Sequence, residues 1–282
     1  MKKFLIFISV IFVLVVILSL ILTFTRKVSL GEKVALVRVT GVILDSTDII
    51  EELKEYAKNN SIKAIILRVD SPGGAVAPSQ EIYEEIIKIK ETKKVIVSMG
   101  TVAASGGYYI ASPADKIVAN AGTLTGSIGV IMEIPNISGL MQKIGVETQV
   151  IKSGEHKDIA SIFKSLKPEE KQILQNVLDD VHNQFIQAVS EGRKKKFEEI
   201  RKLADGRIFT GRMAKELGLV DELGNLQDAI MLAGKLAGIK GEPEVVQKKE
   251  KFSFMDILKG EFPAKLMNNV FQGVSLKYLM TP

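Results

Sequence analysis

The sequence contains no cysteine, no tryptophan and only two histidines among its 282 residues. The absence of cysteine excludes disulfides, zinc–thiolate sites and a cysteine nucleophile. No H-E-x-x-H motif suggests a catalytic metal, and no G-x-x-x-x-G-K-[ST] motif suggests a nucleotide. We therefore expect an activity that needs neither a metal nor a cofactor.

Excess charge of one sign is also scarce in this chain. The formal net charge is +5, but Lys2, Lys3, Arg26 and Lys27 supply four of these charges and flank one apolar run, which leaves +1 for the rest. A nucleic-acid-binding surface needs clustered lysine and arginine. The sequence therefore predicts no nucleic-acid partner.

The apolar run covers residues 4–25 and contains no charge, no glycine and no proline. A helix of this length rises about 1.5 Å per residue and spans the roughly 30 Å hydrocarbon core of a bilayer. The run lacks the small-x-small site of a cleaved signal peptide, which favours an uncleaved transmembrane anchor. Basic residues on both sides leave its orientation open on charge alone.

Strand and helix patterns alternate in the remaining chain. Apolar segments at residues 34–39, 64–69 and 95–99 are separated by amphipathic helical patterns at 49–58 and 80–90. This alternation predicts βαβ units around a buried parallel sheet. Further strands are predicted at 116–119, 128–132 and 148–151. Helices are predicted from Pro168 to about residue 192 and at 197–203, 212–217 and 226–237. The sequence thus predicts one α/β domain with a helical C-terminal part.

Three loops rich in glycine and serine follow strands, where sites of parallel sheets form. The loop at 70–74 (DSPGG) is either a plain turn or a pair of glycines that present a backbone N–H to a ligand. In the loop at 101–110 (TVAASGGYYI), Ser105 is either a helix N-cap or a nucleophile. The G-x-S-x-G elbow is absent because residue 103 is alanine. The loop at 122–129 (GTLTGSIG), taken alone, is more typical of a turn.

A nucleophilic serine needs a base, and the chain offers few. His182 falls within the predicted long helix and is expected to be a solvated surface residue. The segment 152–158 (KSGEHKD) offers His156 or Lys157, or it is merely a charged loop. The residues alone leave these readings open.

Four motifs occur in order behind the predicted anchor: SPGG, AASGGYYIA, TGSIGV and SGEHKD. With this order, the chain resembles the signal peptide peptidase A family, membrane-bound serine peptidases with a Clp protease/crotonase-like fold. The resemblance covers about residues 34–235 and matches the short form with one copy of the domain. It implies that Ser105 is the nucleophile, Lys157 the general base and Ser127 a support for the lysine. It also implies that Gly74 and Gly106 form the oxyanion hole.

The resemblance carries expectations about organisation as well. Residues 1–3 are expected in the cytoplasm, 4–25 in the membrane, 26–33 as a tether, 34–240 as an extracytoplasmic peptidase domain and 241–282 as a tail. The implied substrates are cleaved signal peptides and other apolar unfolded segments. In long members, the serine and the lysine lie in different halves of the chain. A single-copy chain is therefore expected to form a homo-oligomer with active sites between subunits.

The chemistry of a lysine base agrees with this assignment. A lysine ordinarily has a pKa near 10.4, so it acts as a base only where an apolar groove disfavours its charge. Asp158 is therefore expected to turn away from Lys157. His156 lacks an acidic orienter in any of the motifs, which makes Lys157 the preferred base.

Three other functions remain open at this stage. They are a membrane-protein-directed Ser–Lys protease that acts on stomatin-like proteins, an acyl-CoA enzyme of the crotonase type, and a catalytically silent membrane-tethered scaffold. The apolar tail, residues 252–282, is expected to pack on the domain, rest on the membrane or enter the active-site groove as a pseudo-substrate.

Overall fold

The computed structural model describes residues 32–248 and 277–279. The predicted membrane segment at 4–25 lies outside the described residues, as do most of the predicted tether and tail. No helix within the described ranges is both long and apolar enough to cross a bilayer. The described residues from Lys33 onward belong to one unit.

Most strands of the described residues are short, and the three longest run through the centre of the fold. The strands are β1 (Lys33–Thr40), β2 (Ile62–Ser71), β3 (Gly73–Ala75), β4 (Lys94–Ala104), β5 (Lys116–Ala119), β6 (Leu124–Gly126), β7 (Ile208–Thr210), β8 (Glu222–Leu223), β9 (Glu244–Val246) and β10 (Lys277–Leu279).

Eight of these strands form one sheet with the order β7-β6-β4-β2-β1-β9, in which β5 also pairs with β4 and β8 pairs with β5. The pairs β1–β2, β2–β4 and β4–β5 are parallel, which confirms the predicted buried parallel sheet. The predicted strands at 34–39, 64–69, 95–99 and 116–119 lie within β1, β2, β4 and β5. The strands β3 and β10 form a separate antiparallel pair.

The described residues contain eight helices, of which six were predicted and the two short ones at residues 106–111 and 138–143 were not. They are α1 (Thr47–Lys58), α2 (Val76–Lys90), α3 (Gly106–Ala111), α4 (Ser138–Lys143), α5 (Pro168–Arg193), α6 (Phe197–Arg201), α7 (Gly211–Glu216) and α8 (Leu226–Leu236). Pro168 begins α5, as predicted, because its fixed φ suits the first helical turn and its missing N–H costs nothing there.

The sheet has two buried faces, which explains why its central strands are apolar almost throughout. Along β1, Ala35 and Val37 point into the larger core with residues of α1, α2, α3 and α5. Val34 and Leu36 point into the opposite core, which α8 covers. Each fully buried aliphatic side chain contributes on the order of 1.5–3 kcal/mol, so this three-layer arrangement holds the strand ends in place.

Two predicted strands are wrong. In place of a strand at 128–132, the short β6 ends at Gly126, and the chain then turns at Ser127, which has a φ of 51°. Residues 148–151 form no strand either, and the Ile151 side chain is 102% exposed. A strand needs a neighbour to satisfy its backbone groups, and apolar alternation alone does not supply one.

Candidate active site

The SPGG motif connects β2 to β3 and brings the backbone of Gly74 against another segment. Ile43 donates its N–H to the Gly73 carbonyl at 2.9 Å and accepts from the Ala75 N–H at 2.7 Å. A methyl group on Gly74 would come within 2.0 Å of the Ile43 carbonyl oxygen. This close approach requires glycine at residue 74, so the motif is not a turn that other residues could form equally well.

Ser105 lies between the end of β4 and the start of α3. Its φ of 53° and ψ of −118° place a non-glycine residue in a sparsely populated region, at a cost of about 1–3 kcal/mol. Two backbone hydrogen bonds hold this conformation: the Ser105 N–H donates to the Gly126 carbonyl, and its carbonyl accepts from the Tyr109 N–H, both at 2.8 Å. The sequence has no G-x-S-x-G elbow at Ser105, but the geometry is a strained strand-to-helix turn of the same kind.

The hydroxyl of Ser105 is buried and unpaired. The residue is 1% exposed, and its Oγ has no hydrogen-bond partner within the described residues. A hydroxyl buried without a partner carries a desolvation cost of about 1–3 kcal/mol. Such a group, held in a strained turn, is typical of a reactive centre that awaits a partner.

Gly106 follows Ser105 and faces Gly74 across a narrow gap. A methyl group on Gly106 would come within 3.1 Å of the Gly74 nitrogen and 2.8 Å of the Ser79 hydroxyl oxygen. As the first residue of α3, Gly106 has an amide for which no intrahelical acceptor exists. The two backbone amides proposed for the oxyanion hole therefore lie next to each other, beside the nucleophile.

Ser127 is brought beside Ser105 by parallel strand pairing. Ala104 of β4 pairs with Gly126 of β6, so the residues that follow, Ser105 and Ser127, leave the sheet side by side. Both have positive φ values, and the Ser127 N–H donates to the Arg207 carbonyl at 2.9 Å. The structure thus assembles four of the five predicted site residues: Gly74, Ser105, Gly106 and Ser127.

Lys157, the fifth predicted residue, lies elsewhere. It is exposed, in a segment of turns at residues 152–164, and forms no ion pair with any described residue. His156 beside it is also exposed. Since the Ser105 Oγ has no partner among the described residues, neither Lys157 nor His156 is hydrogen-bonded to it in this single chain.

Asp158 is turned toward other lysines, as expected from the need to keep a lysine base uncharged. Its carboxylate accepts from Lys152 Nζ at 2.5 Å and lies 3.1 Å from Lys164 Nζ. Lys164 in turn donates to Glu170 at the start of α5 at 2.6 Å. The hydrogen bond from Lys152 lowers the pKa of Asp158 to about 2. These ion pairs fasten the segment without engaging Lys157.

A cavity of about 840 Å³ opens beside Ser127, between the segment that follows β6 and the helix α5. Its walls include apolar side chains, namely Leu124, Val130, Ile131, Leu178 and Ile208. Its rim carries Arg207, which donates to both carboxylate oxygens of Asp205. Such a space can hold an apolar side chain next to the serine cluster.

His182 lines this cavity and is half-buried, so it is not the fully solvated surface residue that was expected. Its Nε2 is buried and has no hydrogen-bond partner within the described residues. The signal was present in the sequence. Gln175, Leu178, Asp179 and His182 follow helical spacing, which places them on one face of α5, and all four line the cavity.

Asp70 has a structural role that no sequence motif indicates. Between the pairs Val69–Met99 and Ser71–Ala103, β4 has two more residues than β2, which makes a bulge. The Asp70 carboxylate accepts from the Val102 N–H at 3.1 Å, within that bulge. Because bulges redirect a strand, Asp70 helps to set the direction in which β4 delivers Ser105.

Comparisons with known proteins show which family this chain resembles. The model of peptidase family S49 matches residues 87–240, and the Clp protease model matches residues 28–125. The chain is 46% identical over 223 residues to "Putative protease slr0021" of Synechocystis sp., covering 78% of this chain and 79% of that protein. It is 38% identical over 220 residues to Protease 4 of Salmonella typhi, covering 74% of this chain and 35% of that protein. It is 37% identical over 214 residues to "Putative signal peptide peptidase SppA" of Enterococcus faecium, covering 71% of this chain and 62% of that protein.

Proposed function

The chain belongs to peptidase family S49, and we propose that it is a membrane-anchored serine endopeptidase with a Ser105–Lys157 dyad. Its substrates in this proposal are cleaved signal peptides and other apolar unfolded segments. The observation that carries the proposal is the buried, unpaired Ser105 hydroxyl at a strained turn, with Gly74 and Gly106 converging beside it.

In the proposed reaction, Ser105 Oγ attacks the scissile carbonyl carbon while Lys157 Nζ takes the hydroxyl proton. The amides of Gly74 and Gly106 stabilise the negative charge that develops on the carbonyl oxygen. The carbon–nitrogen bond breaks, the leaving amine receives the proton from Lys157, and an acyl-enzyme on Ser105 remains. Water, deprotonated by Lys157, then releases the second product.

The apolar cavity beside Ser127 supports the choice of substrate class. Leu124, Leu178 and Ile208 offer an apolar wall to a substrate side chain, and burial of such a chain is worth about 1.5–3 kcal/mol. Signal peptides are rich in side chains of this kind. A peptidase tethered by an anchor at residues 4–25 would meet them at the membrane surface.

The dyad is proposed to form between subunits. A lysine base must be desolvated, yet Lys157 is exposed in the single chain. The stretch at residues 140–151, just before that segment, also exposes large apolar side chains: Leu140 is 59% exposed, Ile144 61% and Ile151 102%. A neighbouring copy that covers this segment would bury those side chains and bring Lys157 into an apolar setting. Closed symmetry would give every subunit an equivalent site.

Reaction with a fluorophosphonate tests the proposed chemistry directly. We expect Ser105 of the full chain to be labelled, and Ser105→Ala to remain unlabelled. Ser112 offers a control, because its hydroxyl is engaged by the Tyr109 carbonyl at 2.8 Å. Ser112→Ala should still label at Ser105. An unlabelled wild-type chain would favour the silent scaffold instead.

Complementation tests the intersubunit dyad. Ser105→Ala and Lys157→Ala are each expected to be inactive, and mixtures that exchange subunits should regain peptidase activity. Interfaces that join Ser105 of the lysine variant to Lys157 of the serine variant contain a complete dyad. Absence of recovery, despite demonstrated exchange, would leave the chemistry standing and remove the intersubunit model.

The orientation of the chain in the membrane can be tested separately. We propose that the N-terminus lies in the cytoplasm and the peptidase domain outside. Protease added to intact spheroplasts should digest the domain. Protection until lysis would indicate the opposite orientation.

A further inference from the structure

Two arginines lie side by side on the face of the sheet that α8 covers in part. The parallel pairing of β1 with β2 places Arg38 opposite Arg68, and β4 adds Ser98 to the same row. The preceding row, which begins at Leu36, is apolar and packs in the core under α8. Because alternate residues of a strand share a face, the two arginines interrupt an otherwise apolar face where the sheet becomes exposed.

The guanidinium of Arg68 is fixed by groups of the sheet. Its Nη1 donates to the Ser98 hydroxyl oxygen at 2.9 Å and to the Met99 carbonyl at 2.8 Å. Ser98 itself is 1% exposed, so this contact is buried. The other two nitrogens of Arg68, Nε and Nη2, donate to no described residue. One part of the guanidinium therefore binds the protein, and the remaining N–H groups are left for a ligand.

No acidic side chain of the described residues pairs with either arginine. Arg38 is exposed and forms no hydrogen bond or ion pair with any described residue. Asp70 lies in the next row, but its carboxylate accepts from the Val102 N–H at 3.1 Å and forms no ion pair with Arg38 or Arg68 within the described residues. Burial lowers the pKa of Arg68, and the charge of Arg38 lowers it further while Asp70 opposes the shift. Like charges that face each other on neighbouring strands destabilise a sheet, so this pair calls for a ligand of opposite charge.

The ligand chemistry follows from the donors. A guanidinium presents its N–H groups in a planar fork that matches a carboxylate or a phosphate. The position of the pair favours a peptide carboxylate over a lipid headgroup. Arg68 lies two residues before Asp70, which begins the DSPGG loop with Gly74. The predicted membrane segment connects instead to the opposite end of β1, at Lys33.

We propose that Arg38 and Arg68 form a binding site for the C-terminal carboxylate of a peptide substrate. This inference rests on the proposed function, since it names the end of the substrate that the protein recognises. The six residue steps from Arg68 to Gly74 span at most about 20 Å, which is the length of about six extended residues. A peptide bound in this way is cut within about six residues of its C-terminus. A cleaved signal peptide has a free carboxylate there, whereas an internal segment of an intact protein does not.

A binding measurement tests the site without catalysis. One fluorescent apolar peptide of twelve residues is made with a free C-terminal carboxylate and with a C-terminal amide, and each form is titrated into full-length chains that carry Ser105→Ala. We expect the carboxylate form to bind about tenfold more tightly, the effect of one hydrogen bond to a charged group. Adding Arg38→Gln should make the two affinities equal. Because the Arg38 side chain has no partner among the described residues, this variant should keep its melting temperature.

Arg201→Gln is the matched control. Arg201 is an exposed arginine of α6, the helix that packs in the core on the other face of the sheet. It should keep the preference for the carboxylate form. Arg68→Lys retains the charge but loses the fork, and it should weaken the preference.

Two outcomes of the titration would overturn the proposal. The first is equal binding of both peptide forms to the chain that keeps its arginines. The second is a preference that persists in both Arg38→Gln and Arg68→Lys. If soluble dihexanoyl-phosphatidylglycerol bound in an Arg38-dependent way while the two peptides bound equally, the pair would be a lipid-headgroup site and the proposal would be wrong. A failure of the proposed function would appear separately, as a Ser105 that fluorophosphonate does not label.

Cleavage by the chain with Ser105 intact gives a second readout. Arg38→Gln should raise KM for the carboxylate peptide about tenfold, leave kcat unchanged and leave KM for the amide unchanged. Mass spectrometry of the first products should show C-terminal fragments of about six residues or fewer. Longer C-terminal fragments from the carboxylate peptide, or a KM that Arg38→Gln does not change, would contradict the assignment.

Discussion

The region around Ser105 is buried and held by backbone hydrogen bonds, whereas the segment around Lys157 is exposed. Ser105 is buried where β4, β6 and α3 meet, in a turn held by two 2.8 Å backbone hydrogen bonds. Lys157 is exposed in a segment of turns that is held by ion pairs such as Lys152–Asp158 and by a hydrogen bond from the Ile137 N–H to the Ile162 carbonyl. The first region is complete within one chain, and the second presents apolar and basic groups to its surroundings.

This contrast reflects the different physical requirements of a nucleophilic serine and a lysine base. Strain at a nucleophile persists only where the surrounding packing over-determines the backbone, which the sheet supplies. A lysine base needs a desolvated setting, which an exposed segment acquires only when another surface covers it. The activity of such a site would therefore depend on assembly, while the fold around its nucleophile would not.

The largest expected effect falls on the exposed segment. Lys157→Ala should lower kcat/KM about 10²- to 10⁴-fold, because a general base contributes that much to the rate. His156→Ala, the adjacent control, should keep most of its activity. Peptide hydrolysis measured with both variants decides between the two bases. An inactive His156 variant beside an active Lys157 variant would reverse the assignment.

Gly74→Ala, in the region around Ser105, should lower peptidase activity almost as much as Lys157→Ala does. Its added methyl would lie 2.0 Å from the Ile43 carbonyl oxygen, so β3 must shift and the oxyanion donor moves with it. Loss of one such donor costs about 10²- to 10³-fold in kcat. Gly122→Ala is the matched control, since a methyl there meets nothing within 4 Å. Unchanged kcat in Gly74→Ala would show that this amide is not a donor.

Ser127→Ala should have a smaller effect, because an orienting hydroxyl is a supporting group. One hydrogen bond to a charged group is worth about 1.5–3 kcal/mol, or roughly ten- to a hundredfold in rate. We expect a lower kcat, an unchanged melting temperature and a shifted pH–rate profile. Kinetics identical to wild type at every pH would make Ser127 a turn residue only.

Acidification should loosen the Lys157 segment slightly and leave the Ser105 region unaffected. The pKa of Asp158 is depressed from 3.8 to about 2 by the hydrogen bond from Lys152. A carboxylate with a depressed folded-state pKa stabilises the fold above its unfolded value, and this contribution is lost as the pH falls toward 2. Amide exchange of residues 152–164 should therefore show less protection at pH 2.5 than at pH 5, after correction for intrinsic rates. Asp158→Asn should lose that pH dependence.

Local pattern alone predicted the four apolar strands at 34–39, 64–69, 95–99 and 116–119. Strands of a parallel sheet are covered on both faces, so their apolar character is continuous and visible in the sequence. The same reasoning was wrong at 148–151, where apolar residues belong to an exposed segment instead. An apolar side chain indicates that a residue tends to be buried, but it does not indicate which element buries it.

The sequence by itself determined the α/β order, the proline start of the helix at Pro168 and the small residues around Ser105. These features depend only on residues that are close together in the sequence. Only the tertiary structure decided that Ser105 and Ser127 leave the sheet together, that His182 faces a cavity, and that Tyr278 pairs with Gly74. Those contacts join residues far apart in the chain, and their register comes from strand pairing, bulges and packing of the whole domain.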